Sequence, residues 1–79
     1  MNNLNPEGML WIDMNKEGLA VSLKKGLERS RKKYSKTVVE IQVNPGFGTC
    51  PALFEGIPVS VVTDIPKLHI WFKFEEEET

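Results

Sequence analysis

Lys16-Glu17-Gly18-Leu19-Ala20-Val21-Ser22-Leu23-Lys24-Lys25-Gly26-Leu27-Glu28-Arg29-Ser30-Arg31-Lys32-Lys33-Tyr34-Ser35 is the stretch that decides the fold. Projected as a helix, Leu19, Ala20, Leu23, Gly26, Leu27, Ser30 and Tyr34 gather within an arc of about 120°. All are apolar or small. The opposite arc holds Lys24, Lys25, Arg29, Arg31 and Lys32, with Glu28 among them. The pattern predicts an amphipathic helix over 16–35 with one buried stripe, Asn15 as its N-cap and Glu17 in its first turn. Gly26 and Ser30 sit one turn apart in that stripe. Glycine inside a helix costs about 0.8–1 kcal/mol relative to alanine, so a close approach to a sheet is the expected reason for it.

The flanking segments read as strands. Met9 to Met14 alternates, with Leu10, Ile12 and Met14 facing one way and Met9, Trp11 and Asp13 the other. Val38 to Val43 follows the helix, with Val39, Ile41 and Val43 on one face. Asn44-Pro45-Gly46-Phe47-Gly48 is a turn cluster, and Thr49 to Glu55 is ambiguous, with a single helical turn as one reading. Ile57 to Thr63 is a strand whose Pro58 suits an edge or a position near the start. After a turn over 64–67, Leu68 to Phe74 points Leu68, Ile70, Phe72 and Phe74 inward and His69, Trp71 and Lys73 outward.

These elements predict a single α/β (α+β) domain over 1–79, one long helix packed on a mixed, roughly four-stranded sheet in the order β-α-β-β-β. Residues 1–8 form a polar lead-in and 75–79 an acidic tail, both expected to be flexible. The first two strands should run parallel through a right-handed crossover, and the last two should form an antiparallel hairpin. The helix covers one face of the sheet. On the other face, alternation places Trp11 and Trp71 with His69, Lys73, Met9 and Val62.

Composition narrows the function classes. At 79 residues there is room for one core, and a chain of this size buries about 60–65% of its unfolded surface. Cys50 is the single cysteine and His69 the single histidine, so neither an internal disulfide nor a zinc set is available. Association with other chains is one source of the missing stability. The net charge of −1 hides an asymmetry. From Lys16 to Lys36 eight cations face Glu17 and Glu28, a net +6, while two cations face nine carboxylates elsewhere, a net −7. The first eight residues lack the basic and apolar regions of a signal peptide, and no run approaches the roughly 20 apolar residues of a membrane span. A cytoplasmic location is therefore expected, with no membrane partner.

Catalytic sets are thin. Cys50 follows a turn and precedes Pro51, and His69 faces outward, so an incidental thiol and a surface histidine are expected rather than a nucleophile and base. Asp13, Glu40, Glu55 and Asp64 are isolated from one another and read as solvated charge. The Asn44–Gly48 segment lacks the following helix that a phosphate-cradling loop needs, and reads as a structural turn. No catalytic, cofactor-binding or metal-binding residues are assigned, and no small-molecule substrate is expected.

Val43-Asn44-Pro45, Gly56-Ile57-Pro58-Val59 and Ile65-Pro66-Lys67-Leu68-His69-Ile70-Trp71 resemble the pattern of a group of short, uncharacterised bacteriophage and prophage proteins. The resemblance spans about Met9 to Phe74. A weaker similarity runs to part of the peripheral domain of phage major capsid proteins and encapsulins. It implies a phage-type protein, placed in the host cytoplasm, and no functional residues. The expectation is a non-enzymatic interaction protein, self-associating or bound to another protein. Trp11, His69, Trp71 and Lys73 would form its sheet-face contact, and an acidic partner would meet the helix. The alternative is a nucleic-acid-binding accessory protein in which Lys24, Lys25, Arg29, Arg31, Lys32 and Lys33 meet phosphates.

Overall fold

The structure, a computed structural model, describes residues 7–75. The expected flexible ends lie outside the described residues, except for Glu7, Gly8 and Glu75, which are paired. The Glu7 carbonyl accepts from Phe74 N–H at 2.9 Å, and Glu75 N–H donates to the Thr37 carbonyl at 2.8 Å.

The elements are β1 (Gly8–Ile12), α1 (Leu19–Tyr34), β2 (Val38–Val43), a 3-10 turn (Pro45–Phe47), β3 (Leu53–Phe54), β4 (Ile57–Val61) and β5 (His69–Phe74). They form the expected α+β arrangement, one helix on a mixed sheet, with a fifth short strand. The sheet order is β1-β5-β2-β4-β3. β1 and β2 both run antiparallel to β5, so they are parallel to each other as expected, but β5 lies between them.

The expected hairpin of the last two strands is not formed. β4 pairs in parallel with β2 and antiparallel with β3, and β2 separates it from β5. An interior position, paired on both sides, goes to the strand with the bulkiest apolar stripe: Ile70, Phe72 and Phe74 of β5 are almost wholly buried. The ladder between β2 and β4 begins at Ile41 and Val59, one residue past Pro58, so the missing Pro58 N–H takes nothing from it. The hairpin that does form joins β3 to β4 through Glu55 and Gly56, both at positive φ. The helical turn considered for 49–55 instead lies earlier, at 45–47.

Two alternation readings shift. A bulge between Val38 and Glu40 turns Val38 into the core beside Ile41 and Val43 and leaves Val39 exposed. On β1, Met9 is buried and Trp11 packs against the core, so these two face the helix and Leu10 and Ile12 take the open face.

Helix α1 begins three residues later than expected. Asn15 is not its cap. Gly18 holds that position, and the Asp13 carboxylate accepts from the N–H groups of Glu17 (2.9 Å) and Gly18 (3.0 Å) just before it. The buried stripe is Ser22, Leu23, Gly26, Leu27 and Ser30, so Ser22 replaces Ala20. Ser30 Oγ returns its hydrogen bond to the Leu27 carbonyl at 2.8 Å, which lets a hydroxyl sit in the core. Gly26 has the role expected of it: a Cβ there would stand 2.5 Å from the Phe72 ring. Ser35 ends the helix in the left-handed region, its N–H donating to the Arg31 carbonyl at 3.1 Å.

Candidate interaction surfaces

The expected pairing of Trp11 with Trp71 on one face does not occur. In the register of β1 with β5, Trp11 lies opposite Ile70 and Leu10 opposite Trp71. Directly opposed residues share a face, so Trp11 lies under the helix, where its Cγ would be 3.4 Å from a Cβ on Gly26. Met9 leaves the open face for the same reason. His69, Trp71 and Lys73 are on that face as expected, joined by Leu10 (50% exposed) and Ile12 (45% exposed). The Trp71 indole leans across Gly8: a Cβ on Gly8 would collide with it and with the Phe72 carbonyl. Leu10, Ile12 and Trp71 therefore make one apolar patch beside β1.

The edge of β1 adds main-chain groups to that patch. Its odd-numbered residues turn toward β5, as the bonds at Glu7 and Asp13 show. By the antiparallel pattern, Gly8, Leu10 and Ile12 direct N–H and C=O away from β5. Among the described residues no strand follows on that side in the sheet order. Gly8–Ile12 contains no charge and no proline, and its register runs without a bulge. The opposite edge is protected: β3 is two residues long and is preceded by Pro51.

Lys24, Lys25, Arg29, Arg31, Lys32 and Lys33 are all exposed on α1. Lys25 is held by Glu17 at 2.7 Å, and Arg31 lies 3.7 Å from Glu55. Lys33 Nζ stands 5.5 Å over the Tyr34 ring, which itself packs on Phe74 with centroids 5.3 Å apart. Lys24, Arg29 and Lys32 have no carboxylate partner among the described residues. Below the helix end, Arg31, Ser35, Lys36, Thr37, Val38, Glu55 and Ile57 line an open cleft of about 450 Å³.

The catalytic candidates stay apart. Cys50 Sγ lies 3.4 Å from the Gly48 carbonyl, and His69 Nδ1 is 2.7 Å from the Lys67 carbonyl, so each is engaged locally. Asn44–Gly48 is a structural turn. Asn44 Oδ1 accepts from Gly46 N–H at 2.6 Å while Nδ2 donates to the Ile65 carbonyl at 2.6 Å, tying two loops together. Among the described residues no three His, Cys, Asp or Glu side chains gather as a metal site, and no helix is long and apolar enough to cross a membrane.

Asp13 corrects the reading of solvated carboxylates. It is 3% exposed. Burial pushes its pKa up, but the Glu17 and Gly18 N–H groups, the Ser22 hydroxyl and the Lys25 charge outweigh burial and hold it below 3.8. The sequence signal was its position: Asp13 precedes Glu17 by four residues across a tight turn, the reach of a side chain that satisfies helix-entry donors. Alternation fixes which residues share a face, not which face is covered, so it does not single out Leu10 and Ile12. No protein-family model, curated protein or solved structure matches this chain.

Proposed function

We propose that the protein is a non-enzymatic, self-associating interaction protein, with a second copy of the chain joined along the β1 edge and the sheet face beside it. The edge of β1, which no described strand pairs, carries this reading, because outward N–H and C=O groups beside exposed Leu10 and Ile12 are a template for strand addition. An antiparallel register centred on Leu10 pairs Leu10 with its own copy and Gly8 with Ile12. Every outward donor and acceptor of both strands is then used. Each Ile12 arrives opposite Gly8, where the partner's Trp71 indole offers an apolar surface. A five-residue edge is small against the roughly 800 Å² per partner of a standard stable interface, so association should depend on concentration. The phage or prophage character belongs to the same proposal and rests on the Val43-Asn44-Pro45 and Gly56–Val59 motifs.

Light scattering across a concentration series tests it. The expected result is a mass rising from 9.0 kDa toward twice that value, and a return to 9.0 kDa in Leu10→Pro. The Leu10 N–H makes no bond to β5, so this variant should keep its circular dichroism spectrum. A monomer at every concentration overturns the reading.

The second reading is polyanion contact by α1, favoured by Lys24, Arg29 and Lys32, which have no carboxylate partner among the described residues. Tyr34 is turned to the core, so the helix offers phosphate contact without an aromatic base platform. Binding to a DNA or RNA oligonucleotide that weakens steeply with salt, and is lost in Arg29→Glu with Lys32→Glu, is its expected signature.

A further inference from the structure

Pairing across the β1 edge fixes where a second helix goes. Directly opposed residues of an antiparallel strand pair share a face, and a closed pair of identical chains is related by a two-fold axis. With Leu10 opposite its own copy, both Leu10 side chains point to the open face, and both α1 helices lie together on the other. α1 packs over β1 and β5. Neighbouring strands stand about 4.8 Å apart, so the two helix axes run about 10–14 Å from each other, roughly one helix diameter.

The flank of α1 that turns toward the two-fold axis is set by its contacts. Asp13, just past β1, accepts from the Ser22 hydroxyl, and Gly26 lies against Trp11 of β1. The other flank carries Arg31, which reaches Glu55 in the β3–β4 turn on the far side of the sheet. Residues three and four apart share a side of a helix, so Lys25, Arg29, Lys32 and Lys33 follow Ser22 and Gly26 along the β1 side. All four are exposed. Lys25 is held by Glu17, and Glu7, exposed just before β1, makes no ion pair with them. Four cations against Glu17 leave this flank a net +3, and the two-fold pair brings two such flanks together.

We propose, resting on the self-association read from the β1 edge, that two copies form one cationic groove between their α1 helices and that it takes the phosphate backbone of a nucleic acid. A single copy supplies only one wall. The bare pair is weakened by like charges facing each other at about a Debye length, whereas a polyanion between the helices meets both walls and relieves that repulsion. Association and binding therefore strengthen each other by the same factor. Phosphates follow one another about every 3.4 Å along each strand of a duplex, so several meet the run from Lys25 to Lys33, about 12 Å of helix. An extended acidic peptide turns alternate side chains away and offers one side a carboxylate only about every 7 Å.

Sedimentation and binding isotherms with a short DNA duplex test the groove in the parent, Leu10→Pro and Arg29→Gln/Lys32→Gln/Lys33→Gln. The parent should bind as two chains per duplex. Leu10→Pro removes no cation, yet should bind about a hundredfold more weakly, with about half the salt slope, because one wall remains. The triple variant should lose DNA binding while dimerising at lower concentration than the parent in low salt. A parent dimer whose DNA affinity and salt slope match those of Leu10→Pro overturns the shared groove and leaves self-association standing. A parent that stays monomeric with and without DNA overturns both. A triple variant that dimerises no more readily than the parent removes the charge coupling, and assembly driven equally well by poly-glutamate overturns the choice of nucleic acid.

Discussion

A Cβ placed on Gly26 would lie 2.5 Å from both Cε2 and Cζ of Phe72, so this pair sets how closely the helix lies on the sheet. Both partners are fixed. Phe72 is wholly buried on β5, between Met9 of β1 and Ile41 of β2. Gly26→Ala should therefore destabilise the fold by about 1–3 kcal/mol, the typical cost of forcing a methyl into a packed core, despite a helix-propensity gain of about 0.8–1 kcal/mol. Urea denaturation reads the balance. An alanine variant as stable as the parent would mean that the ring can move aside.

Asp13 predicts an acid-sensitive joint between β1 and α1. Its folded pKa lies below the unfolded value, so the unfolded chain binds more protons as the pH falls. The stabilisation is complete above the unfolded value, about 3.9, and is lost as the pH drops through the lower folded value. Asp13→Ala should cost about 1–3 kcal/mol at neutral pH, because the Glu17 and Gly18 N–H groups lose their buried acceptor. Asp13→Asn should flatten the acid limb of a stability-against-pH series. An unchanged acid limb in the asparagine variant would place the sensitivity elsewhere.

The reasons some features were legible in the sequence and others were not are physical. The helix and β5 each carry a long one-sided pattern, and a wrong register would expose Leu23, Leu27, Phe72 and Phe74 together. Gly26 was legible because glycine in mid-helix costs stability unless contact demands it. The face of β1 was not legible, since Leu10 and Ile12 are as apolar as Met9 and Trp11. What decides between them is the Phe72–Gly26 contact, which leaves space for Trp11 beside the helix. The bulge at Val39 breaks the strict alternation that placed Val39 with Ile41. Strand order was hidden for a different reason. The 62–68 connection is long enough to cross β2, and local pattern does not distinguish that path from a hairpin. Of the candidate surface residues, the cations kept their exposure because charge alone keeps them in water.

Glu55 holds φ at 51° in the two-residue turn between β3 and β4, followed by Gly56 at 82°. A glutamate in the left-handed region carries a steric cost of about 1–2 kcal/mol, whereas asparagine adopts it readily and Asn-Gly is the preferred pair for such a hairpin. Against this stands the Arg31–Glu55 contact at 3.7 Å, half exposed on both sides and worth little. Glu55→Asn should therefore stabilise the protein by about 0.5–1 kcal/mol, since backbone relief outweighs the lost ion pair. Thermal unfolding at low and at high salt separates the two contributions. The gain should persist at high salt, where the ion pair is screened in the parent. A loss of stability at low salt that disappears at high salt would assign Glu55 an electrostatic role at the end of α1 that outweighs its backbone strain.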